Sequence, residues 1–456
     1  MNKIFILTLL LFSGCVPYFS EPQVPSVAVP DKFSAPAKGG VDGQPWWRQW
    51  HSNELDGLMD EALRNNLTLA EAWARLAQTE QQAVQAGADL LPAVNGTAGY
   101  ERTEQHHRKA ANTGINNWSM GLTVSYEVDL WQRIRAGQHR ASLNTQASRE
   151  DLATAFISIS GAIAETWVSI ITSQKELALL SEQQRLNEEI LKLVLVRYQQ
   201  SQASILDINQ QKQNIASVDN AMAAPRAKIS LLQHRLSVLI GRAPQEPVVV
   251  SGDLPSLKAP LVRVPSDLLL HRPDIRAALL RLRAAGWQNI QARAELLPKV
   301  SLSADYRYSA DQLSDIIDNW LLNLAANLTG PIYDGKRRSA EVKRTKAIMA
   351  EQLASYKKDI LTAFLEVEDA LSSEQEQRET LQTIGRQIKL SQASAQDIER
   401  RYMGGLSDFL PALREQVNIF HWRQKKIQAR ADLLIARIGL NKAMGGENLR
   451  RKVSDP

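Results

Sequence analysis

The sequence predicts a mainly α-helical fold with a small β part, in which a helix–β-hairpin–long helix–short helix unit occurs twice. Three observations carry this reading. The chain matches itself at a separation of about 200 residues, too long for a solenoid unit and suited to a duplicated domain. Four short segments alternate apolar and polar residues. Two long stretches lack proline and carry apolar residues three and four positions apart.

The internal match runs in order along both halves. Residues 58–90 read as helix and end in Leu91-Pro92, before a strand-like run; residues 267–296 do the same and end in Leu297-Pro298. VSYEVDLWQRIRAG faces NLTGPIYDGKRRSA, RYQQSQASILDI faces RYMGGLSDFLPAL, and LSVLIGR faces GLNKAMGG. The resulting division is a signal peptide (1–14), an N-terminal tether (15–50), a first repeat (51–243, hairpin 93–128), a Pro-rich linker (244–266), a second repeat (267–446, hairpin 299–332) and a C-terminal tail (447–456). The tether is rich in proline and glycine and ends in Trp46, Trp47 and Trp50.

The strands come first in each hairpin. Trp118, Met120, Leu122, Val124, Tyr126 and Val128 alternate with Ser119, Gly121, Thr123, Ser125 and Glu127, and Val94, Ala98 and Tyr100 with Asn95, Thr97 and Glu101. In the second half Val300, Leu302, Ala304, Tyr306 and Tyr308 alternate with Ser301, Ser303, Asp305, Arg307 and Ser309; Trp320, Leu322, Leu324 and Leu328 stand against Asn323, Ala325, Asn327 and Thr329. Period-two alternation marks strands with two unlike faces, and each run has about the ~9–11 residues of a tilted membrane strand. Loops are expected at 105–117 and 310–319. A soluble amphipathic hairpin shows the same alternation. The uniform lengths and the aromatic residues Tyr100, Trp118, Tyr306 and Trp320 near strand ends favour a membrane, where such residues form interfacial girdles. Four strands cannot seal a barrel in lipid, so membrane strands here demand further copies: two give eight strands, three give twelve.

From about Gln132 to Tyr198 and from Lys336 to Met403 there is no proline. Ile163, Trp167 and Ile170, then Ile360, Phe364, Val367 and Leu371, then Leu381, Ile384 and Ile388 keep the helical spacing. Each helix would be roughly 100 Å long at ~1.5 Å per residue. The chain then reverses at 199–204 and 404–409 and returns as a shorter helix ending near Gly241 and Gly445, with Ile427, Ala431, Leu434 and Ile438 on one stripe. The helices at 52–90 and 267–296 have the missing length, so two short helices stacked end to end beside each long one give coiled-coil-like packing.

The N-terminus reads as an export signal: Lys3, an apolar run from Ile4 to Phe12, then Ser13, Gly14 and Cys15. Cys15 is the only cysteine and stands where a lipoprotein acquires its diacylglycerol, so lipidation of Cys15 is expected over an ordinary cleaved signal with an incidental cysteine. Val16 is not the aspartate that retains such proteins on the inner membrane, so the outer membrane is the expected location. No disulfide or cysteine-based metal site follows. The net charge of +5 is small for 456 residues, with both signs interleaved along the helices, which does not fit a nucleic-acid partner. No Walker A loop, HExxH, GxSxG or Cys/His cluster points to an enzyme, and nothing calls for a cofactor or metal; the adjacent His106-His107 are read as solvated.

Several segments together resemble the outer-membrane factor family, the TolC-like export channels, in its lipoprotein branch: LLLHRPDIRAALLRLRAAGWQNIQARAELLPKVSL, with His271-Arg272-Pro273-Asp274-Ile275; LMDEALRNNLTLAEAWARLAQ; GPIYDGKRRSAEV; and the Trp-rich 46–50 stretch. The resemblance covers essentially the whole mature chain. It implies a homotrimer with a twelve-stranded transmembrane β-barrel continued by a periplasmic α-helical barrel. It implies as partners the outer-membrane lipids, a periplasmic adaptor (membrane fusion) protein and an inner-membrane pump of the resistance-nodulation-division type, with the chain as a passive exit duct for small molecules.

On that resemblance the helix reversals form a periplasmic tip, with Ser201, Ala203, Ser204, Gly404, Gly405, Ser407 and Asp408 meeting the adaptor. Arg197, Tyr198, Asp207, Arg401, Tyr402 and Arg414 are the candidates for holding the aperture closed. Arg414 is basic where the family often has an acid, which argues against a ring of carboxylates there. The same fold serving type I protein secretion, or a peripheral lipoprotein scaffold of coiled coils, are the competing readings.

Overall fold

The computed structural model describes Phe33, residues 45–106, 113–257, Pro265, Leu268 and residues 271–446. After a single 3-10 turn, Trp46–Trp50, come α1 (Asn53–Asn65), α2 (Leu67–Ala88), β1 (Ala93–Gln105), β2 (Thr113–Val128), α3 (Arg133–Gln199), α4 (Ile205–Ala221) and α5 (Ala223–Leu239). The second half supplies α6 (Pro273–Ala294), β3 (Lys299–Ala310), β4 (Trp320–Thr329), α7 (Arg337–Met403) and α8 (Phe409–Ala443). Helix, hairpin, long helix and return helix thus occur twice in the same order. Cys15, His107 and the tail 447–456 lie outside the described residues.

The chain divides into two compact units. Among the described residues the first comprises Ala74–Glu150 and Ile275–Lys358; the second lies within Ala28–Trp73, Asp151–Asp274 and Asp359–Pro456.

The first unit holds one antiparallel sheet in the order β1-β2-β3-β4. Strands β1 and β2 pair from Ala93↔Ser125 out to Gln105↔Thr113, so the connection is shorter than the loop expected at 105–117. The extra rungs, Glu101 to Gln105 against Asn117 to Thr113, are mostly polar on both faces. Alternation disappears where neither face must be apolar, while the backbone pairing continues. Below the sheet, Trp131 Nε1 donates to the Pro298 carbonyl (2.6 Å) and Arg133 forks onto Glu127 (3.0 and 2.8 Å). The long helices start alike. Asp129 accepts from the amides of Ile134 and Arg135, and Asp334 accepts from that of Arg338, each carboxylate meeting free amides at the positive end of the helix dipole.

Among the described residues, the second unit is all helix and extended segment. Its core gathers Trp46, Trp47 and Trp50 against Phe156, Ile163, Trp167 and Ile170 of α3, with Leu236, Val250, Leu254 and Ile438. Helix α3 holds a window apolar enough to cross a membrane by length and composition, yet its Ile163, Trp167 and Ile170 are fully buried within the unit. Glu54 ties α1 to the Pro-rich segment: it accepts from Trp167 Nε1 (2.7 Å), Ser251 N (2.8 Å) and Gly252 N (3.2 Å).

The first helix is broken where a continuous one was expected over 58–90. Asn66 turns extended (ψ 122°), and its Oδ1 accepts the amide of Leu69 (3.0 Å) as an N-terminal cap. Its Nδ2 donates to the Leu239 carbonyl (2.7 Å) at the end of α5. Arg272 does the matching job in the second half, donating to the Ala443 carbonyl (3.1 Å) at the end of α8. Arg272 is buried and also binds Asp274 (2.5 Å) and Glu366 (2.6 Å). The return helices stop at Gly241 and Gly445, both with positive φ (83° and 84°). A Cβ at Gly241 would fall 2.2 Å from the Asn65 carbonyl oxygen, and one at Gly445 3.1 Å from that of His271. Both halves therefore close their stacked-helix joint by a glycine stop, a close backbone approach and a side-chain donor from the incoming turn. The first return helix is also interrupted, at Met222, just ahead of Pro225, whose missing N–H weakens helix continuity.

Helices α7 and α8 are pinned by a buried charge cluster. Glu374 accepts from Arg437 (2.8 and 2.6 Å) and from Arg378 (3.1 and 2.8 Å). Burial opposes the charge of Glu374, but its bonds to Arg437 and Arg378 outweigh this and hold the carboxyl below the usual glutamate range. A depressed folded-state pKa gives stability that is complete above the unfolded value of about 4.3 and is lost as pH falls through the folded one. Glu374→Gln is expected to lower stability by about 3 kcal/mol near neutral pH, the scale for leaving one partner of a buried pair alone. The deficit should begin to shrink as pH falls below about 4.3 and disappear only below the depressed folded-state pKa, where both proteins carry a neutral group. Thermal unfolding followed by circular dichroism across pH 3–8 measures it, and a deficit independent of pH would contradict the account.

Candidate functional site

Two regions carry the residues singled out by sequence: the sheet and the helix reversals.

The sheet has two unlike faces. On one, Val94, Leu122, Leu324 and Leu328 are exposed, Leu324 by 71%, an apolar surface that water alone would make a liability. This face ends in a cross-strand aromatic group. Tyr100 lies opposite Trp118 with ring centroids 4.5 Å apart, and Trp320 lies opposite Tyr308 and packs on Tyr306 at 5.8 Å. Tyr306 and Tyr308 share a hydroxyl–hydroxyl bond of 2.8 Å. The four aromatics picked from sequence therefore sit in two contacting pairs. Tyr308, the fifth member, shares their parity. Beyond this row on β1 the same face turns charged, with Arg102 and Glu104 paired at 2.9 Å.

The opposite face is hydrophilic. Asn95, Thr123, Asp305 and Asn323 lie in one register row, and Thr123 Oγ1 donates to Asp305 Oδ1 (2.9 Å). The sheet is open: β1 and β4 each pair on one side only. A sheet with one apolar and one polar face and two open edges can separate lipid from water once its edges are joined to others.

The helix reversals lie in the second unit and share a backbone device. Gln202 N bonds the Arg197 carbonyl and Leu406 N that of Arg401, both at 2.8 Å, the six-to-one closure of a Schellman turn. Ser201 (φ 61°) and Gly405 (φ 72°) take the left-handed position. Glycine does so without strain, whereas Ser201 holds it at a cost. Ser204 and Asp207 then form a complete capping box at the start of α4. Asp207, a gate candidate by position, is thereby engaged in helix capping. Asp408 occupies the matching cap position of α8 without a side-chain cap bond.

Behind the turns the two hairpins meet. Val194, Ile208, Tyr402 and Phe409 form one buried cluster, with Ala203 and Leu413 packed against it. Arg197 Nη1 donates to the Tyr402 carbonyl (3.2 Å), and its guanidinium carbon stands 4.3 Å from the centre of the Tyr402 ring. Such a stacked cation contributes on the order of 0.5–2 kcal/mol. Burial pushes the Tyr402 phenol pKa up, opposed by the Arg197 charge and reinforced by Asp207. Of the gate candidates, Arg197 and Tyr402 are in contact. Arg401 instead pairs with Asp397 (2.8 Å), Tyr198 is exposed, and Arg414 is exposed and takes no part in the Arg197–Tyr402 pair. Of the tip residues, Ser201, Ser204, Gly404, Gly405 and Asp408 are exposed and Ser407 partly so, while Ala203 turns inward. Phe409 and Ile208 complete the cluster, and their helical spacing alone fits any core position.

Comparison with known proteins agrees with this geometry. A sequence profile described as "Outer membrane efflux protein" matches the chain twice, over residues 58–242 and 264–446. The chain is 31% identical to "Pyoverdine export outer membrane protein OpmQ" of Pseudomonas aeruginosa, over 98% of this chain and 97% of that one. It is 25% identical to "Cation efflux system protein CusC" of Escherichia coli, over 96% and 97%. Among solved structures, the outer-membrane channel OprN aligns with a TM-score of 0.86 at 24% identity, over 95% of this chain and 99% of that one, a likeness of fold. Two unlike sheet faces, a duplicated helical hairpin and these matches over nearly the whole length have one explanation: the chain belongs to the outer membrane efflux protein family.

Proposed function

We propose that three copies of this chain close a twelve-stranded barrel in the outer membrane and form the exit duct of a tripartite pump for small solutes. The observation that carries the reading is the open sheet, β1 and β4 unpaired on their outer sides, with an exposed apolar face backed by a polar one. Edge groups in hydrocarbon cost several kcal/mol each unless bonded. Joining β4 of one copy to β1 of the next removes every edge. The run Trp118 to Val128 spans roughly 25–30 Å at ~3.3 Å per residue and a tilt of ~40°, the height of the hydrocarbon layer. The names of the relatives specify pyoverdine export and cation efflux, which favours solute efflux over protein secretion.

In this reading Cys15 carries the lipid anchor. The exposed tip residues Ser201, Ser204, Gly404, Gly405 and Asp408 receive a periplasmic adaptor, and a resistance-nodulation-division pump supplies the energy. The Arg197–Tyr402 contact holds the two hairpins of each copy together at the tip. It is a better candidate for keeping the aperture closed than Arg414, and Asp207 contributes through the cap it forms.

Three measurements test the parts separately. A cysteine at Thr97 combined with cysteines scanned along 321–327 is expected to give disulfide-linked dimers and trimers at the registers that bring β1 and β4 of neighbouring copies together. Absence of any intermolecular link at every register, with a monomer in sedimentation, would end the barrel proposal. Arg197→Gln removes the carbonyl bond and the stacked cation and is expected to raise trimer conductance in planar bilayers severalfold; unchanged conductance assigns closure elsewhere. Cys15→Ser is expected to abolish incorporation of labelled palmitate, and retained label would place the acyl chain on another residue.

A further inference from the structure

We infer that Arg307 is a contact point for organic anions inside the barrel, with Asp305 and Gly121 setting the guanidinium out into the pore. The inference rests on the reading above, that the polar face of the sheet lines a water-filled lumen.

Charge is sparse on that face. Between Glu101 at one end and Glu127 and Lys299 at the other, the polar-face positions of all four strands are Asn, Thr, Ser, Gly, Ala or Leu, except for Asp305 and Arg307. These two differ in setting. The Asp305 side chain is 26% exposed, and its Oδ1 is engaged by the Thr123 hydroxyl. The Arg307 side chain is 52% exposed, and its Nη2 forms an ion pair with Asp305 Oδ2 at 3.6 Å, too long for a hydrogen bond. The carboxylate is drawn back into the wall while the guanidinium keeps its donors for the lumen.

The neighbours of Arg307 explain its exposure. In register it faces Gly121 on β2 and Leu321 on β4. At Gly121 a Cβ would fall 2.7 Å from the Tyr306 carbonyl oxygen and 3.2 Å from Arg307 Cα, so close strand approach keeps a side chain out directly opposite Arg307 on β2. Leu321 is the one large apolar residue among these positions and is 62% exposed. A planar five-donor cation beside an exposed leucine suits a solute with a carboxylate, phosphate or sulfonate on an apolar body. Three copies would repeat the pair around the lumen at one level.

The test uses the full-length protein with a reporter cysteine, Ser309→Cys, on the same face and about 7 Å up the strand from Arg307. Cys15 is the only native cysteine, and the parent protein supplies the baseline. Isolated outer membranes are labelled with the anionic sulfonatoethyl and the cationic trimethylammonioethyl methanethiosulfonates, and the ratio of the two rates is read. Losing one charge at about 7 Å in water changes each rate by up to about threefold in opposite senses, less with salt screening, so Arg307→Gln is expected to lower the anion-to-cation ratio about threefold to sevenfold. Asp305→Asn is expected to raise it and Arg307→Lys to preserve it. Heptanesulfonate should slow labelling of the reporter in the wild-type background and not in Arg307→Gln. A reporter that reacts with both reagents at a ratio indifferent to Arg307→Gln overturns the inference and leaves the lumen reading standing. A reporter that reacts with neither overturns both.

Discussion

The structure depends on a single constraint: a backbone placed in hydrocarbon must find all its hydrogen bonds within protein. A four-stranded sheet cannot meet it alone, because its first and last strands each keep one bare edge. Symmetric association resolves this without any new element, since identical copies offer complementary edges. Hydrocarbon on one side of the sheet and water on the other give the strands their two-faced composition. The same setting also accounts for an exposed apolar surface that would otherwise favour aggregation.

In the second unit the governing demand is the satisfaction of helix ends. Stacking two short helices beside a long one brings free carbonyls and free amides together at an internal joint, where water cannot serve all of them. Asn66 and Arg272 answer this at equivalent places in the two halves by different chemistry. The amide of Asn66 caps the helix that follows and donates to the helix that ends. The guanidinium of Arg272 reaches the equivalent carbonyl and carries a positive charge into a nearly closed site, so Asp274 and Glu366 accompany it. Duplication preserved the geometry and let the donor diverge.

Much of the fold was legible in the sequence for simple reasons. Alternation at 118–128 and 300–309 is enforced by unlike media on the two faces, and the proline-free stretches reflect the cost of breaking a long helix. What the sequence does not disclose is either local or remote. The break at Asn66 is a side-chain cap inside an unbroken apolar rhythm, and the outer rungs of the first hairpin are polar on both sides and so lack a period. Ser204-x-x-Asp207 is a legible capping box, yet proximity to the turn made Asp207 look like a gate. The pairing of Arg197 with Tyr402 joins residues far apart in the chain, and no local pattern encodes it. The aromatic pairs were partly visible because parity selects them, while Arg307 looked like any polar-face residue until its neighbours were known to be a glycine and a leucine.

The glycine stops and Schellman turns at both ends of each return helix bear on how such a protein could change its reach. With the ends fixed by left-handed residues and backbone contacts near van der Waals limits, residues added to the outgoing helix alone would throw every rung of its antiparallel partner out of step. Length can grow only by matched insertions in both arms, in steps close to whole turns and in both halves at once. The hairpin thus behaves as a graduated ruler, able to suit periplasms of different depth by discrete increments and by nothing in between.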